Sequence, residues 1–167
     1  KKARRKERKD IISTIASPIV EYYEVKVSES RQGAKDEIIS SVSSKGKSLK
    51  KELENSQGIY VFYNSQCKVI YLGKAKKQSL WKEMNLAFNR ERDSQFVWRV
   101  QHPDVGQTFV PAFKKPRKLQ KTYVFLSEIA AYFSAYVVAP DLIDNIEALM
   151  IRCFANDLTN TRMETIK

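Results

Sequence analysis

The chain has 167 residues, and its 30 Lys and Arg against 19 Asp and Glu give a formal net charge of +11. This length suits one domain plus an extension, with a buried core, and the charge favours an anionic partner, most often nucleic acid. Cys67 and Cys153 lack the spacing of a disulfide framework or a zinc site. No apolar run could cross a membrane, and no stretch resembles a signal peptide. We therefore expect an intracellular protein, cytoplasmic or nucleoid-associated, with no membrane partner.

The first 47 residues have the composition of an accessory segment. Residues 1–10 contain seven Lys or Arg, so they could lie on phosphates through counter-ion release or form a solvated basic tail. Residues 11–25 are apolar enough to pack on a domain, and residues 28–47 are rich in Ser, Lys and Gly around a weak helix. We predict a mostly helical extension over residues 1–47 and a core domain over residues 48–167.

A β-hairpin is predicted at the start of the core domain. Residues 58–63 and 68–74 are rich in β-branched and aromatic side chains, and the polar residues 64–66 between them favour a turn. Strict alternation would place Tyr71 on the same face as Val69. One glycine lies two residues before Tyr60 and another two after Tyr71, where a missing side chain lets a large group approach the backbone.

The two arms of this hairpin resemble the paired signature of the GIY-YIG nucleases. Gly58-Ile59-Tyr60 is similar to the first motif and Tyr71-Leu72-Gly73 to the second, with leucine in place of the usual isoleucine. Lys74 follows the second glycine, as in the repair-nuclease branch of the family. The resemblance covers roughly residues 53–163 and implies an α/β (α+β) fold with a small mixed three-stranded sheet flanked by helices.

Two amphipathic helices are predicted downstream of the hairpin. Ser79 is a suitable N-cap for a helix that runs to about Arg92 with one apolar face. Asp141 is a suitable N-cap for a later helix, in which Asp144 is an acid favourable to the helix dipole. Glu147 lies within the apolar stripe of this second helix, where a carboxylate is costly unless it forms a salt bridge or binds a cation.

The resemblance implies a metal-dependent active site. Glu147 is similar to the family's metal-binding glutamate, which implies Mg²⁺ or Mn²⁺ as the cofactor. Tyr60 would be the general base or its relay, with its pKa lowered by nearby Lys74, and Tyr71 would orient water or phosphate. Secondary positions are Gly58, Gly73 and the later asparagine, which is Asn160 or, as a second choice, Asn156.

The family's arginine is the one motif residue without a counterpart. Aligning the apolar stripe of the first helix with that of the family places Glu83 at the arginine position. We therefore predict that Arg90 binds the phosphate, since it lies on the same side of the predicted helix and could lean back toward its N-terminus. Lys82 is the second candidate, although it points away from the apolar face.

The region between the two helices contains a second basic stretch. Residues 96–100 are expected to form a strand and His102, the single histidine, lies in a loop after it; a catalytic or ligand role for His102 is the less favoured interpretation. The run that follows contains two prolines and is predicted to be an exposed loop that contacts DNA phosphates. Its basic residues are Lys114, Lys115, Arg117, Lys118 and Lys121.

Together these features predict a DNA endonuclease that hydrolyses phosphodiester bonds. Two other classes stay open. A non-cleaving DNA-binding module that keeps the fold would explain the missing arginine. A basic structural or ribonucleoprotein subunit would share only the hairpin pattern.

Overall fold

The computed structural model describes residues 15–25, 38–39, 43–98, 119–154 and 158, and for residues 91–98 and 119–124 it describes the backbone alone. The strands are β1 (Ala16–Glu24), β2 (Gly58–Tyr63), β3 (Val69–Ala75), β4 (Glu91–Trp98), β5 (Leu119–Phe125) and β6 (Tyr132–Val138). The helices are α1 (Ser44–Glu54), α2 (Leu80–Phe88), α3 (Leu126–Ile129) and α4 (Ile143–Cys153). None of the described helices is long and apolar enough to span a bilayer.

The main sheet has four antiparallel strands in the order β1-β6-β2-β3, and β4 and β5 form a separate antiparallel pair. One face of the sheet carries Tyr60 and Phe62 and packs against α1 and α2. The other face carries Ile59 and Val61 and packs against α4. Both cores therefore meet at the β2–β3 hairpin, and β3 is the edge strand.

The predicted hairpin is confirmed. The side chain of Asn64 closes its turn by accepting hydrogen bonds from the backbone N–H groups of Gln66 (2.9 Å) and Lys68 (3.0 Å). A register shift follows the Phe62–Tyr71 pair, so that Tyr63 pairs with Val69 and Ile70 forms a bulge. The expectation that Val69 and Tyr71 share a face is wrong, because the extra residue of a bulge reverses the alternation.

The expected α+β class is confirmed, but the mixed three-stranded sheet is not. The described sheet has a fourth strand, β1, and all of its pairings are antiparallel. Residues 16–24, expected in a mostly helical extension, pair with β6, and β-branched and aromatic residues such as Val20 and Tyr23 suit that strand. The boundary expected between residues 47 and 48 falls inside α1.

Both predicted amphipathic helices exist, with different ends. Ser79 caps α2 by accepting a hydrogen bond from the Lys82 N–H, as expected, but the helix ends at Phe88. Asn89 closes the last turn because its backbone and side-chain amides both donate to the Asn85 carbonyl, and the chain then enters β4. The N-cap of α4 is Leu142 rather than Asp141, because the residues before it form a turn.

Candidate active site

Lys74 and Glu147 form a charge pair between the hairpin and α4. Glu147 lies on the face of α4 that packs against the sheet and is 6% exposed. Lys74 follows Gly73 near the end of β3, and its Nζ lies 2.7 Å from Glu147 Oε2. A carboxylate removed from water in this way requires a positive partner. Lys74 supplies this positive charge. Both roles that the sequence leaves open for Glu147, a salt bridge and cation binding, therefore remain compatible with the fold.

Asp144 extends this pair into a cluster of two acids and two lysines. It lies three residues before Glu147 on α4, a spacing that places both carboxylates on one side of the helix. Lys76 Nζ lies 2.6 Å from Asp144 Oδ2 and Lys74 Nζ 3.1 Å from Oδ1. Hydrogen bonds from Lys76 first, and then from Lys74, lower the pKa of Asp144 to about 2. Lys74 is thus held between two carboxylates.

Tyr60 and Tyr71 form a second group on the opposite face of the hairpin. Their ring centroids are 6.1 Å apart, and Tyr60 is 2% exposed. The Tyr60 hydroxyl donates a long hydrogen bond, 3.5 Å, to the backbone carbonyl of Glu83 on α2. This contact directs the Tyr60 side chain across β3 toward α2.

Close contacts explain why both motif positions are occupied by glycine. Tyr60 lies over Gly73, where a Cβ would lie 2.5 Å from the Tyr60 hydroxyl oxygen. Gly58 has a φ of +152°, and a Cβ there would overlap the backbone carbonyl of Tyr136. The motif therefore encodes close packing of an aromatic ring and of two strand backbones.

The structure brings Tyr60 to Tyr71 and Lys74 to Glu147, but it places these two pairs on opposite faces of the sheet. Tyr60 is directly opposite Gly73 in the register, and the next residue, Lys74, is opposite Ile59. Successive side chains of a strand point to opposite faces, and Lys74 forms its ion pairs on the α4 side. Lys74 therefore does not share a face of the sheet with Tyr60, and the expectation that it lowers the pKa of Tyr60 stays a prediction. The two pairs approach each other only at β3, which forms the edge of the sheet.

The expected phosphate-binding cations lie outside both pairs. Arg90 is exposed and follows the end of α2, so the helical geometry predicted to bring it toward Glu83 does not apply. Lys82 is exposed, away from the packed face as expected. Glu83 at the family's arginine position accepts a hydrogen bond from Gln78 Nε2 at 2.6 Å.

Several predicted residues lie outside the described part of the chain: Asn156, Asn160, His102, Lys114, Lys115, Arg117 and Lys118. The prediction of a loop is wrong at Lys121, which lies in β5, where its backbone pairs with Phe96. Lys76 has no predicted role in the sequence analysis, and Asp144 is predicted only as an acid that favours the helix dipole. The spacing of these residues indicates their positions. Lys76, just past the end of β3, follows Lys74 by two residues, and Asp144 precedes Glu147 by three on a helix, so each lies on the same side as its neighbour.

The donor groups of the described residues decide whether they fit a metal ion. They contain no group of three or more His, Cys, Asp or Glu side chains that could hold an ion. Mg²⁺, however, commonly uses one or two protein carboxylates and takes its other ligands from water and substrate phosphate. Glu147, buried and in need of positive charge, fits this donor set, with Asp144 one turn away. A bound ion would share Glu147 with Lys74.

Comparison of the chain with protein-family models, curated proteins and solved structures finds no match in any of the three. The resemblance to GIY-YIG nucleases therefore depends on the motif residues alone.

Proposed function

We propose that the protein is a metal-dependent DNA endonuclease with a GIY-YIG-type active site at the edge of β3. The observation that supports this most is the pair of Lys74 and Glu147. A buried carboxylate on one element meets a lysine that directly follows the Tyr-Leu-Gly motif on another. A stability role alone gives weak grounds for burying such a pair, because a buried ion pair is often no more stabilising than apolar residues of the same volume.

In this proposal Lys74 binds a non-bridging oxygen of the scissile phosphate and balances the charge of Glu147. The lysine approaches from the edge strand, where a DNA backbone can reach it, and its side chain is 28% exposed. Glu147 would hold Mg²⁺ or Mn²⁺, which when bound supplies Lewis-acid stabilisation of the phosphate and the leaving oxygen. Asp144 holds Lys74 from the other side and so positions its ammonium group.

The tyrosines act on the attacking side of the phosphate. Tyr60 accepts or relays the proton of the attacking water, and Tyr71 orients that water, as the resemblance implies. Because Tyr60 is almost fully buried, this role requires the phosphate to approach β3 from the side of α2. Arg90 or Lys82 would add the second positive charge, with arginine favoured for two-pronged contact with phosphate oxygens.

A non-cleaving DNA-binding module is the second candidate function. Two observations favour it: the tyrosine pair and the Lys74–Glu147 pair lie on opposite faces of the hairpin, and Glu83 stands where the family has its arginine. Such a module would keep the charge and the fold without the aligned groups that hydrolysis needs.

The test is nicking of supercoiled plasmid by the purified chain with Mg²⁺, with Mn²⁺ and with a chelator. Variants Glu147→Gln and Tyr60→Phe are compared with Cys67→Ser, an exposed substitution at the far end of the hairpin. We expect metal-dependent nicking that falls at least about 100-fold in both active-site variants and is unchanged in the control. Binding without nicking under every condition would favour the second candidate.

A further inference from the structure

Helix α1 carries more positive than negative charge. Its buried side is formed by Gly46, Leu49 and Leu53, and four lysines occupy its other positions against two glutamates. The first turn contains no acid and does contain Lys45 and Lys47, although a helix N-terminus favours negative charge.

Lys47, Lys50 and Lys51 lie along one flank of α1. Residues three and four apart are neighbours on a helix, and like charges at this spacing destabilise it. Lys47 and Lys51 are exposed, and no carboxylate among the described residues forms an ion pair with either of them. Lys45 lies about 160° around the helix from Lys47, at 3.6 residues per turn. Glu54 lies on the same flank, four residues after Lys50 and three after Lys51, so the flank keeps an excess of positive charge rather than lysines alone.

A contact between helices fixes the direction of this flank. Lys50 Nζ lies 4.7 Å from the ring centroid of Trp81, which is partly buried on α2. This cation–π contact places the flank at the junction of α1 and α2. Lys82, the residue after Trp81, adds an exposed positive charge on α2.

We propose that the lysine surface, defined as Lys47, Lys50, Lys51 and Trp81, binds the phosphate backbone of duplex DNA. An anionic backbone along this flank removes the repulsion between the lysines and releases counter-ions, which is the main source of sequence-independent affinity. The proposal depends on the proposed function only in taking DNA as the substrate. It adds a binding surface distinct from residues 1–10 and 114–121, which the sequence interpretation favoured.

The lysine surface lies across α2 from the Tyr60 side of the hairpin. Helix α2 separates the two: Trp81 lies on its α1 side, and the Glu83 carbonyl contacts Tyr60 on its β3 side. A helix is about 10–12 Å in diameter, no wider than one major groove of about 12 Å. One duplex that lies over α2 can therefore span the lysine surface and the Tyr60 side of the hairpin.

The experiment measures binding of a fluorescein-labelled duplex of about 30 base pairs by anisotropy, at salt concentrations from about 50 to 200 mM and with chelator to prevent cleavage. The full chain is compared with a double variant of the lysine surface, Lys47→Gln with Lys51→Gln. The control double variant, Lys45→Gln with Lys68→Gln, removes the same charge from the other flank of α1 and from the hairpin turn.

For the lysine-surface variant we expect the slope of log affinity against log salt to fall by about 1.8, at about 0.9 per lost phosphate contact, with affinity reduced at least about tenfold near 100 mM salt. The control should keep the slope of the full chain. Because both substituted side chains are exposed and form no ion pair among the described residues, the variant's unfolding temperature should equal that of the full chain, which separates lost binding from lost folding.

Equal loss in both double variants would overturn the proposal, because it would show a general effect of net charge. No loss in either, with the full chain still binding, would overturn it and assign binding to another surface. Tighter binding of an RNA duplex than of the DNA duplex would overturn the choice of partner. The plasmid assay is read separately, so nicking that is insensitive to the lysine-surface variant would reject this surface and leave the nuclease proposal standing.

Discussion

At the scale of single residues, the two glycines and the Lys74–Glu147 pair explain why this hairpin has its sequence. Gly73 leaves room for the Tyr60 ring, and Gly58 adopts a backbone conformation that side chains avoid. These constraints are structural, so the glycines would be required even if the chain cut no DNA. The charge pair is different, because a buried carboxylate costs free energy that a purely structural position could avoid.

Substituting Gly73 with alanine should destabilise the protein by about 1–3 kcal/mol, since the new Cβ would push against the Tyr60 ring. The clashing atoms lie at the outer end of that ring and are absent in Tyr60→Leu. The double variant should therefore be more stable than the sum of the two single effects. Chemical denaturation of the four proteins measures the coupling, and strictly additive effects would show that the contact is not the reason for the glycine.

The pH dependence of stability should show a contribution from Asp144. Its pKa is lowered from 3.8 to about 2 by Lys76 and Lys74, so the folded state favours the ionised form. This stabilisation is fully present above about pH 4 and is lost as pH falls through 2. Because the cluster is solvent-accessible, Asp144→Asn should cost less than about 1 kcal/mol near pH 7. A wild-type advantage that grew toward pH 2 in urea denaturation would contradict this assignment.

At the scale of elements, local patterns account for most of what could be predicted. The hairpin, the Ser79 cap and the burial of Glu147 each follow from a few neighbouring residues. The bulge at Ile70 and the strand β1 do not, because both depend on pairing with residues distant in the chain. The separation of Tyr60 from Lys74 could be predicted from the sequence. If Tyr60 pairs with Gly73, alternation places the next residue, Lys74, on the opposite face.

Strand β1 should be required for folding, although it lies in the segment expected to be accessory. It covers the edge of β6, and Ile19, Val20 and Tyr23 pack against the core. Deleting residues 1–25 should therefore abolish a cooperative thermal transition and expose a strand edge that promotes aggregation. Deleting residues 1–10 removes none of β1 and is the control. A cooperative transition after the longer deletion would show that the domain begins after β1.

At the scale of the whole molecule, the proposed DNA contacts lie on both faces of the sheet and meet at the edge strand β3. The basic flank of α1 and the Tyr60 side of the hairpin belong to the face covered by α1 and α2, whereas Lys74 forms its ion pairs on the face covered by α4. The net charge of +11 supports association with a polyanion. In the proposed function, the pair of Lys74 with Glu147 is what distinguishes a nuclease from a binding module.

The assignment of Lys74 and Glu147 to the centre of the active site is tested by comparing Lys74→Gln with Lys76→Gln in metal-dependent plasmid nicking. Both lysines contact Asp144, but of the two only Lys74 has its ammonium beside Glu147. We expect Lys74→Gln to lower the nicking rate by about 100-fold or more, as for loss of a charge that stabilises the transition state, and Lys76→Gln to change it by less than about threefold. Equal rates in the two variants would contradict the assignment of Lys74 and Glu147 as the centre of the active site.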